Sequence, residues 1–127
     1  MERQLVPALS PQAAIVGYSR AVRAGPHVHV AGTAPIYPDG AEPPDDAYEQ
    51  ARRCLEIIVA ALADVGAGPE HVVRTRIYLA RADVWEGVGR AHGEVFADVR
   101  PANTTVVAPL IDPRWLVEIE ADAIVGE

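Results

Sequence analysis

Residues 117 to 123, Val-Glu-Ile-Glu-Ala-Asp-Ala, constrain this chain more than any other stretch. Val117, Ile119, Ala121 and Ala123 alternate strictly with Glu118, Glu120 and Asp122, and a period of two belongs to an extended strand. Such a strand needs a sheet with one buried face and one polar face, and all of its carboxylates lie on the polar one. A few residues earlier, Arg100-Pro101 opens a second β-branched run through Asn103, Thr104, Thr105, Val106 and Val107. These two segments are expected to bring an amide, an alcohol and a carboxylate to one small polar site.

The upstream chain supplies the rest of the sheet and its cover. Arg3 to Val6 is a first strand candidate, followed by a loop holding Pro7, Ser10 and Pro11. Gly17 to Arg23 and His27 to Ala31 form a hairpin pattern around Ala24-Gly25-Pro26, which Gly32-Thr33-Ala34-Pro35 should end. A helix is expected from an Asp45 or Asp46 cap, with Glu49 at the capping-box position. Its apolar stripe runs through Ala47, Ala51, Cys54, Leu55, Ile58, Val59, Leu62 and Val65, with Gln50 mostly off it, and Gly66 and Gly68 stop it.

His71 to Leu79 alternates again, with Val73, Thr75, Ile77 and Leu79 on one face and Val72, Arg74, Arg76 and Tyr78 on the other. A second helix is expected from an Asp83 cap with Glu86 at the box position, burying Val84, Trp85, Val88, Ala91, His92, Val95 and Phe96. The order implies an α+β fold in which both helices cover one face of a mixed sheet. On the other face Arg74 and Arg76 are expected to pair with Glu118 and Glu120 across strands, and that face is a candidate for self-association.

Length and charge narrow the function. A chain of 127 residues is a prior for one domain, residues 1 to 127. Its formal charge of −7, with 11 scattered arginines as its only Lys or Arg residues, argues against a nucleic-acid partner. No apolar run approaches a membrane span, so no membrane partner and a cytoplasmic location are expected. Cys54 stands alone on a helix stripe and reads as a buried structural thiol. His27 and His29 share a strand face without a third ligand nearby in sequence, so no metal site is expected, and no residue pattern points to a cofactor.

Gly17-Tyr18-Ser19-Arg20-Ala21-Val22, Val30-Ala31-Gly32, the two capped helices, Arg100-Pro101-Ala102 and Val117-Glu118-Ile119-Glu120-Ala121 occur in an order that resembles the YjgF/RidA family of enamine and imine deaminases. The resemblance covers nearly the whole chain. It implies a chorismate-mutase-like α+β domain that forms homotrimers, with one small-molecule cleft at each subunit interface. Within that resemblance Glu118 corresponds to the glutamate that positions or activates water, and Tyr18 and Gly32 are retained. The chain departs from the pattern at Asn103, where deaminating members carry an arginine that grips a substrate carboxylate, and at Ala31, Thr33 and Thr105.

The candidate site follows. Hydrolysing an imine needs a proton delivered to nitrogen or carbon and a water delivered to carbon, work that Glu118 can assist as acid or base. Tyr18 is assigned with it as catalytic, holding the substrate through its hydroxyl. Gly32 is assigned to binding, because its bare backbone can approach closely. Asn103 and Thr105 are the other binding candidates, with Arg20 as an alternative source of the missing cation. Asn103 implies a neutral matching group, since an amide does not neutralise a carboxylate as a guanidinium does.

Each residue also has a plain structural reading. Glu118 reads equally as a partner of the arginines and Glu120 reads as a structural partner of them, Asn103 as a turn residue, Thr105 as a strand former and Tyr18 as an interface aromatic. Two functions therefore stand: a divergent hydrolase or deaminase of a reactive imine, enamine or related carbonyl metabolite, and a non-catalytic trimeric small-molecule-binding protein that keeps the cleft. A ribonuclease role, sometimes attached to this family, is disfavoured by the acidic charge.

Overall fold

The structure is a computed structural model that describes residues 1–126; Glu127, which the one-domain expectation includes, lies outside the described residues. Its main elements are β1 (Arg3–Val6), α1 (Gln12–Val16), β2 (Ala21–Ala24), β3 (His27–Thr33), α2 (Ala47–Asp64), β4 (Val72–Leu79), α3 (Trp85–Phe96), β5 (Ala102–Val107) and β6 (Val117–Ile124). The strands form one six-stranded sheet in the order β1-β2-β3-β6-β4-β5. Every neighbouring pair is antiparallel except β4 and β5, which are parallel because α3 lies between them in the chain as a crossover.

The alternating strand β6 occupies the interior of the sheet between β3 and β4. Val117, Ile119 and Ala121 are fully buried on one face, where α2 packs on β3 and β6 and α3 packs beside α2. Burying an aliphatic side chain as completely as Val117 or Ile119 contributes about 1.5–3 kcal/mol. Facing them, Cys54, Leu55, Ile58 and Leu62 form the buried stripe of α2. Its entry is capped by Asp46, whose carboxylate accepts from the Glu49 N–H at 3.0 Å.

Several local expectations are corrected. Residues 12–16 form the short helix α1 where only a loop was expected. Strand β3 does not end at Gly32 but runs to Thr33, which is fully buried. At the start of β4, Val72 pairs with Ala123 and Arg74 with Asp122, so Val73 is an inserted bulge residue. Val72 is therefore the buried residue and Val73 is 45% exposed, the reverse of the expected faces. Asp83 does not cap α3: it sits in a preceding 3₁₀ turn, Ala82–Val84, and pairs with Arg81 at 2.8 Å. Trp85, expected in the core, is 64% exposed at the first position of α3.

Gln50 is the largest departure inside a helix, because it is fully buried rather than off the stripe. Its amide N–H groups donate to the carbonyls of Pro44 at 2.7 Å and Arg114 at 3.0 Å, and its Oε1 accepts from the Leu116 N–H at 2.7 Å. One side chain thus satisfies three backbone groups at a site closed to water and clips the entry of β6 to α2.

Candidate functional site

The site begins with an irregularity in β3. Val30 pairs with Ala121 and Thr33 with Ile119, so the chain takes one more step on β3 than on β6. This bulge leaves Ala31 and Gly32 together where one residue would stand, and bulges of this kind re-aim the backbone. Gly32 then lies so close to Glu118 that a Cβ would collide with Glu118 Oε2. Glycine is required there by close approach.

Arg20 completes the arrangement from β2. Its backbone extends the strand pairing by one residue, with its N–H on Val6 O and its carbonyl accepting from the Ala31 N–H. Its Nη2 donates to the Gly32 carbonyl at 2.7 Å, while its Nε is buried and has no hydrogen-bond partner. Tyr18 enters from the end of α1, where Gly17 adopts φ +81°, and its hydroxyl lies 2.6 Å from Ser10 Oγ. Tyr18, Arg20, Gly32 and Glu118 are thus gathered at one end of the β3–β6 pair, with Tyr18 and Glu118 both acting electrostatically on Arg20.

Glu118 differs from its neighbours on the same strand face. Glu120 accepts from Tyr78 Oη at 2.9 Å and faces Arg76 at 3.5 Å. Asp122 faces Arg76 at 3.1 Å and His29 Nδ1 at 2.7 Å. The register explains both, since Arg76 stands opposite Glu120 and Tyr78 opposite Glu118. Arg74 donates to Thr104 Oγ1 at 3.0 Å instead of reaching an acid. The expected pairing of the arginines with Glu118 is therefore corrected: among the described residues Glu118 has neither an ion pair nor a hydrogen bond. Burial holds its carboxyl above the ordinary glutamate range, Glu120 pushes the same way, and Arg20 opposes them.

Asn103 and Thr105 do not join this cluster within the protomer. They sit on β5, and β4 separates β5 from β6. Asn103 also pairs in register with Thr75, whose side chain faces the helices, so Asn103 and Thr105 occupy the opposite face from Glu118. The expectation of one polar site built from these adjacent sequence segments is corrected for the single chain. Asn103 Nδ2 donates to Thr75 Oγ1 at 3.0 Å, Thr105 Oγ1 donates to Asn103 Oδ1 at 2.8 Å, and Thr75 Oγ1 lies 2.8 Å from His92 Nε2. This is a hydrogen-bonded chain from the strand edge into the core. Burial lowers the His92 pKa and favours the neutral ring, which can accept from Thr75 at one nitrogen.

Sequence reasoning missed Thr75, His92 and Gln50 as supports. Thr75 had a signal, being the one hydroxyl among the apolar inward positions Ile77 and Leu79. His27 and His29 lie on β3 as expected, with His29 engaged by Asp122. Cys54 is fully buried beneath Val117, and burial pushes its thiol pKa up, which removes it as a nucleophile. No helix among the described residues is long and apolar enough to cross a membrane.

Comparison with known proteins agrees with this geometry. The family model described as endoribonuclease L-PSP matches residues 8–125. An uncharacterised protein of Streptomyces coelicolor is 43% identical over 118 residues, covering 92% of this chain and 88% of that one. A RutC family protein of Pyrococcus abyssi is 33% identical over 107 residues, covering 84% of each. Among solved structures, a Mycobacterium tuberculosis member of the YjgF/YER057c/UK114 family superposes with a TM-score of 0.88 at 44% identity, covering 98% of this chain and 100% of that one. A YjgF family protein of Neisseria meningitidis gives a TM-score of 0.84 at 28% identity, covering 100% and 98%. The mixed sheet with its two main helices is the chorismate-mutase-like α+β fold of these structures. By sequence and by fold, the chain belongs to the YjgF/YER057c/UK114 family, the family of the endoribonuclease L-PSP model.

Proposed function

We propose that the chain is a cytoplasmic hydrolase of a reactive imine, enamine or related small carbonyl metabolite, with Glu118 handling water or a proton. The observation that carries this reading is the state of Glu118: half-buried, without an ion pair among the described residues, and held by burial above the ordinary glutamate pKa. A purely structural acid in this sheet is bound like Glu120 or Asp122. Attack of water on the imine carbon, assisted by the Glu118 carboxylate, gives a carbinolamine; return of the proton to nitrogen lets ammonia leave and a carbonyl form. For an enamine, protonated Glu118 first delivers a proton to the terminal carbon. Tyr18 lines the same cleft and holds the substrate.

The polar face and the bare edge of β5 support a homotrimer in which Asn103 and Thr105 of one protomer complete the cleft around Glu118 of the next. The uncharged, inward-bonded Asn103 favours a second reading, a trimeric binding protein with this cleft and no turnover. The endoribonuclease description of the family model is not adopted, because a charge of −7 is poor support for an RNA surface.

The deciding assay is ammonia release from 2-aminoacrylate-type imines generated in situ, with wild type, Glu118→Ala and Asn103→Arg compared. Activity in the wild type that falls by about 100-fold or more in Glu118→Ala, with the oligomer unchanged by light scattering, supports the hydrolase. Silence in the wild type with activity in Asn103→Arg points to a competent scaffold whose substrate lacks a carboxylate at that half. Silence in all three removes this substrate class and leaves the binding reading.

A further inference from the structure

The polar chain behind β5 has one arrangement of hydrogens that satisfies every group in it. The inner end of the Asn103 amide faces two oxygens of Thr75, Oγ1 at 3.0 Å and the backbone carbonyl at 3.4 Å. A carbonyl only accepts, so the end facing it is the NH2. Asn103 Oδ1 is then turned toward Thr105, whose hydroxyl donates to it at 2.8 Å. Thr75 Oγ1 receives a hydrogen bond from Asn103 and has one hydrogen of its own to place. Its side chain is closed to solvent, and its other recorded partner is His92 Nε2 at 2.8 Å. A buried hydroxyl hydrogen left without an acceptor is costly, so Nε2 accepts it and the His92 proton sits on Nδ1.

This arrangement fixes what β5 offers outward. Both N–H groups of Asn103 are turned to Thr75, and the hydroxyl hydrogen of Thr105 is spent on Asn103. Asn103 Oδ1 and Thr105 Oγ1, both on exposed residues, keep only lone pairs for anything that meets them. Arg74 reaches β5 from the neighbouring strand but donates to Thr104 Oγ1, on the other face. A proton on His92 Nε2 would reverse the polarity: Thr75 would accept from the ring, its hydrogen would call for Asn103 Oδ1, and the amide would turn its N–H groups outward. Packing alone does not ask for a histidine here. Its ring lies 4.7 Å from that of Phe96, and a second phenylalanine could stack there without a polar atom. What phenylalanine lacks is an acceptor for Thr75.

We infer that His92 is a positioning residue which, through Thr75, turns Asn103 so that β5 presents hydrogen-bond acceptors, and that the ligand group meeting this surface is an N–H or O–H donor such as a primary carboxamide or a hydroxyl. A carboxylate placed there would set its oxygens against the lone pairs of Asn103 and Thr105. A carboxamide NH2 instead has a hydrogen for each of the two acceptors. The inference rests on Asn103 and Thr105 lining the ligand cleft, and it holds whether that cleft turns its ligand over or only binds it.

Two measurements test it. The first is nitrogen-15 NMR of the His92 ring in the intact protein at neutral pH, where a bare Nε2 and a protonated Nδ1 are expected; a proton on Nε2 overturns the inference without any ligand or variant. The second is binding of butanamide and butanoate, probes of near-equal size, read by ligand-detected NMR. Wild type is expected to bind the amide about 10-fold tighter, the scale of one to two hydrogen bonds. Equal binding, a preference for butanoate, or no binding of butanamide up to about 50 mM overturns it. His92→Gln, whose amide oxygen can accept from Thr75, is expected to keep most of the preference, and His92→Phe to lose it. A His92→Phe protein that weakens both probes alike and keeps their ratio assigns the ring a merely structural role and overturns the inference; should that variant not fold, the tautomer and the wild-type preference still decide. A preference for the amide in a protein silent toward imines sinks the hydrolase reading alone, and imine turnover without the preference sinks this assignment alone.

Discussion

The Glu118 end of the sheet and the Asn103 edge are built on opposite plans. Around Glu118 a bulge presses Gly32 against the carboxylate, and both Glu118 and Arg20 are left without a charged partner among the described residues. On β5 every residue is exposed, no side chain is charged, and Asn103 is tied inward through Thr75 to His92. The first region holds unpaired charge where water is scarce. The second holds satisfied neutral groups where water is plentiful. The difference is one of desolvation: polar groups are desolvated and uncommitted at the Glu118 end, and solvated and satisfied at the β5 edge.

Substitutions at the two regions should separate accordingly. The largest effect is expected from Gly32→Val, which drives a side chain into the position of Glu118 Oε2. Imine turnover is expected to fall by about 100-fold through displacement of the carboxylate, with stability lowered by about 1–3 kcal/mol from overpacking. Steady-state kinetics beside urea melts measure both, and near-normal turnover would show that Glu118 placement is not limiting.

Thr75→Val acts on the other region. It leaves Asn103 Nδ2 and His92 Nε2 without their shared hydroxyl, at a cost of about 1–3 kcal/mol. Chemical denaturation reads the loss, while the Glu118 end of the sheet, on the opposite face, should keep its geometry.

The smallest effect is a change in the pH dependence of stability. The Glu118 carboxyl lies above its ordinary value of 4.5 in the fold, so between that value and the raised one the folded chain keeps a proton that the unfolded chain has released. The Glu118 contribution to stability is therefore greatest in acid, declines as pH rises through that window, and stays low above it. Glu118→Gln is expected to raise Tm at pH 7 relative to wild type, with the difference vanishing below about pH 4. A lower Tm for Glu118→Gln at pH 7 would mean that Glu118 is paired after all.

The sequence made some of this visible and concealed the rest for definite reasons. The alternation of β6 and the stripe of α2 were legible because each follows a local period matched to one buried face. Val73 and Trp85 were misplaced because a bulge and a helix start move a residue off its period without changing its neighbours in sequence. Gln50 was hidden because its partners at Arg114 and Leu116 lie far along the chain. The separation of Asn103 from Glu118 was hidden for the same reason: segments close in sequence are parted by β4, which enters between them from earlier in the chain. The place of Glu118 on the polar face of β6 was legible from the alternation, whereas its lack of an ion pair among the described residues depended on cross-strand register.

The position of β5 has a consequence of a different kind. It is the outer strand of the sheet, paired on one side only, and its six residues, Ala-Asn-Thr-Thr-Val-Val, include no charge and no proline. The opposite outer strand, β1, carries Arg3. An uncharged edge of that length is a template onto which a foreign strand can add. An isolated copy of this chain is accordingly expected to associate through β5, and any lasting neighbour at that edge would guard against it. Dilution would then expose a hazard, and a lysine placed at Val106 or Val107 would act as a gatekeeper against it.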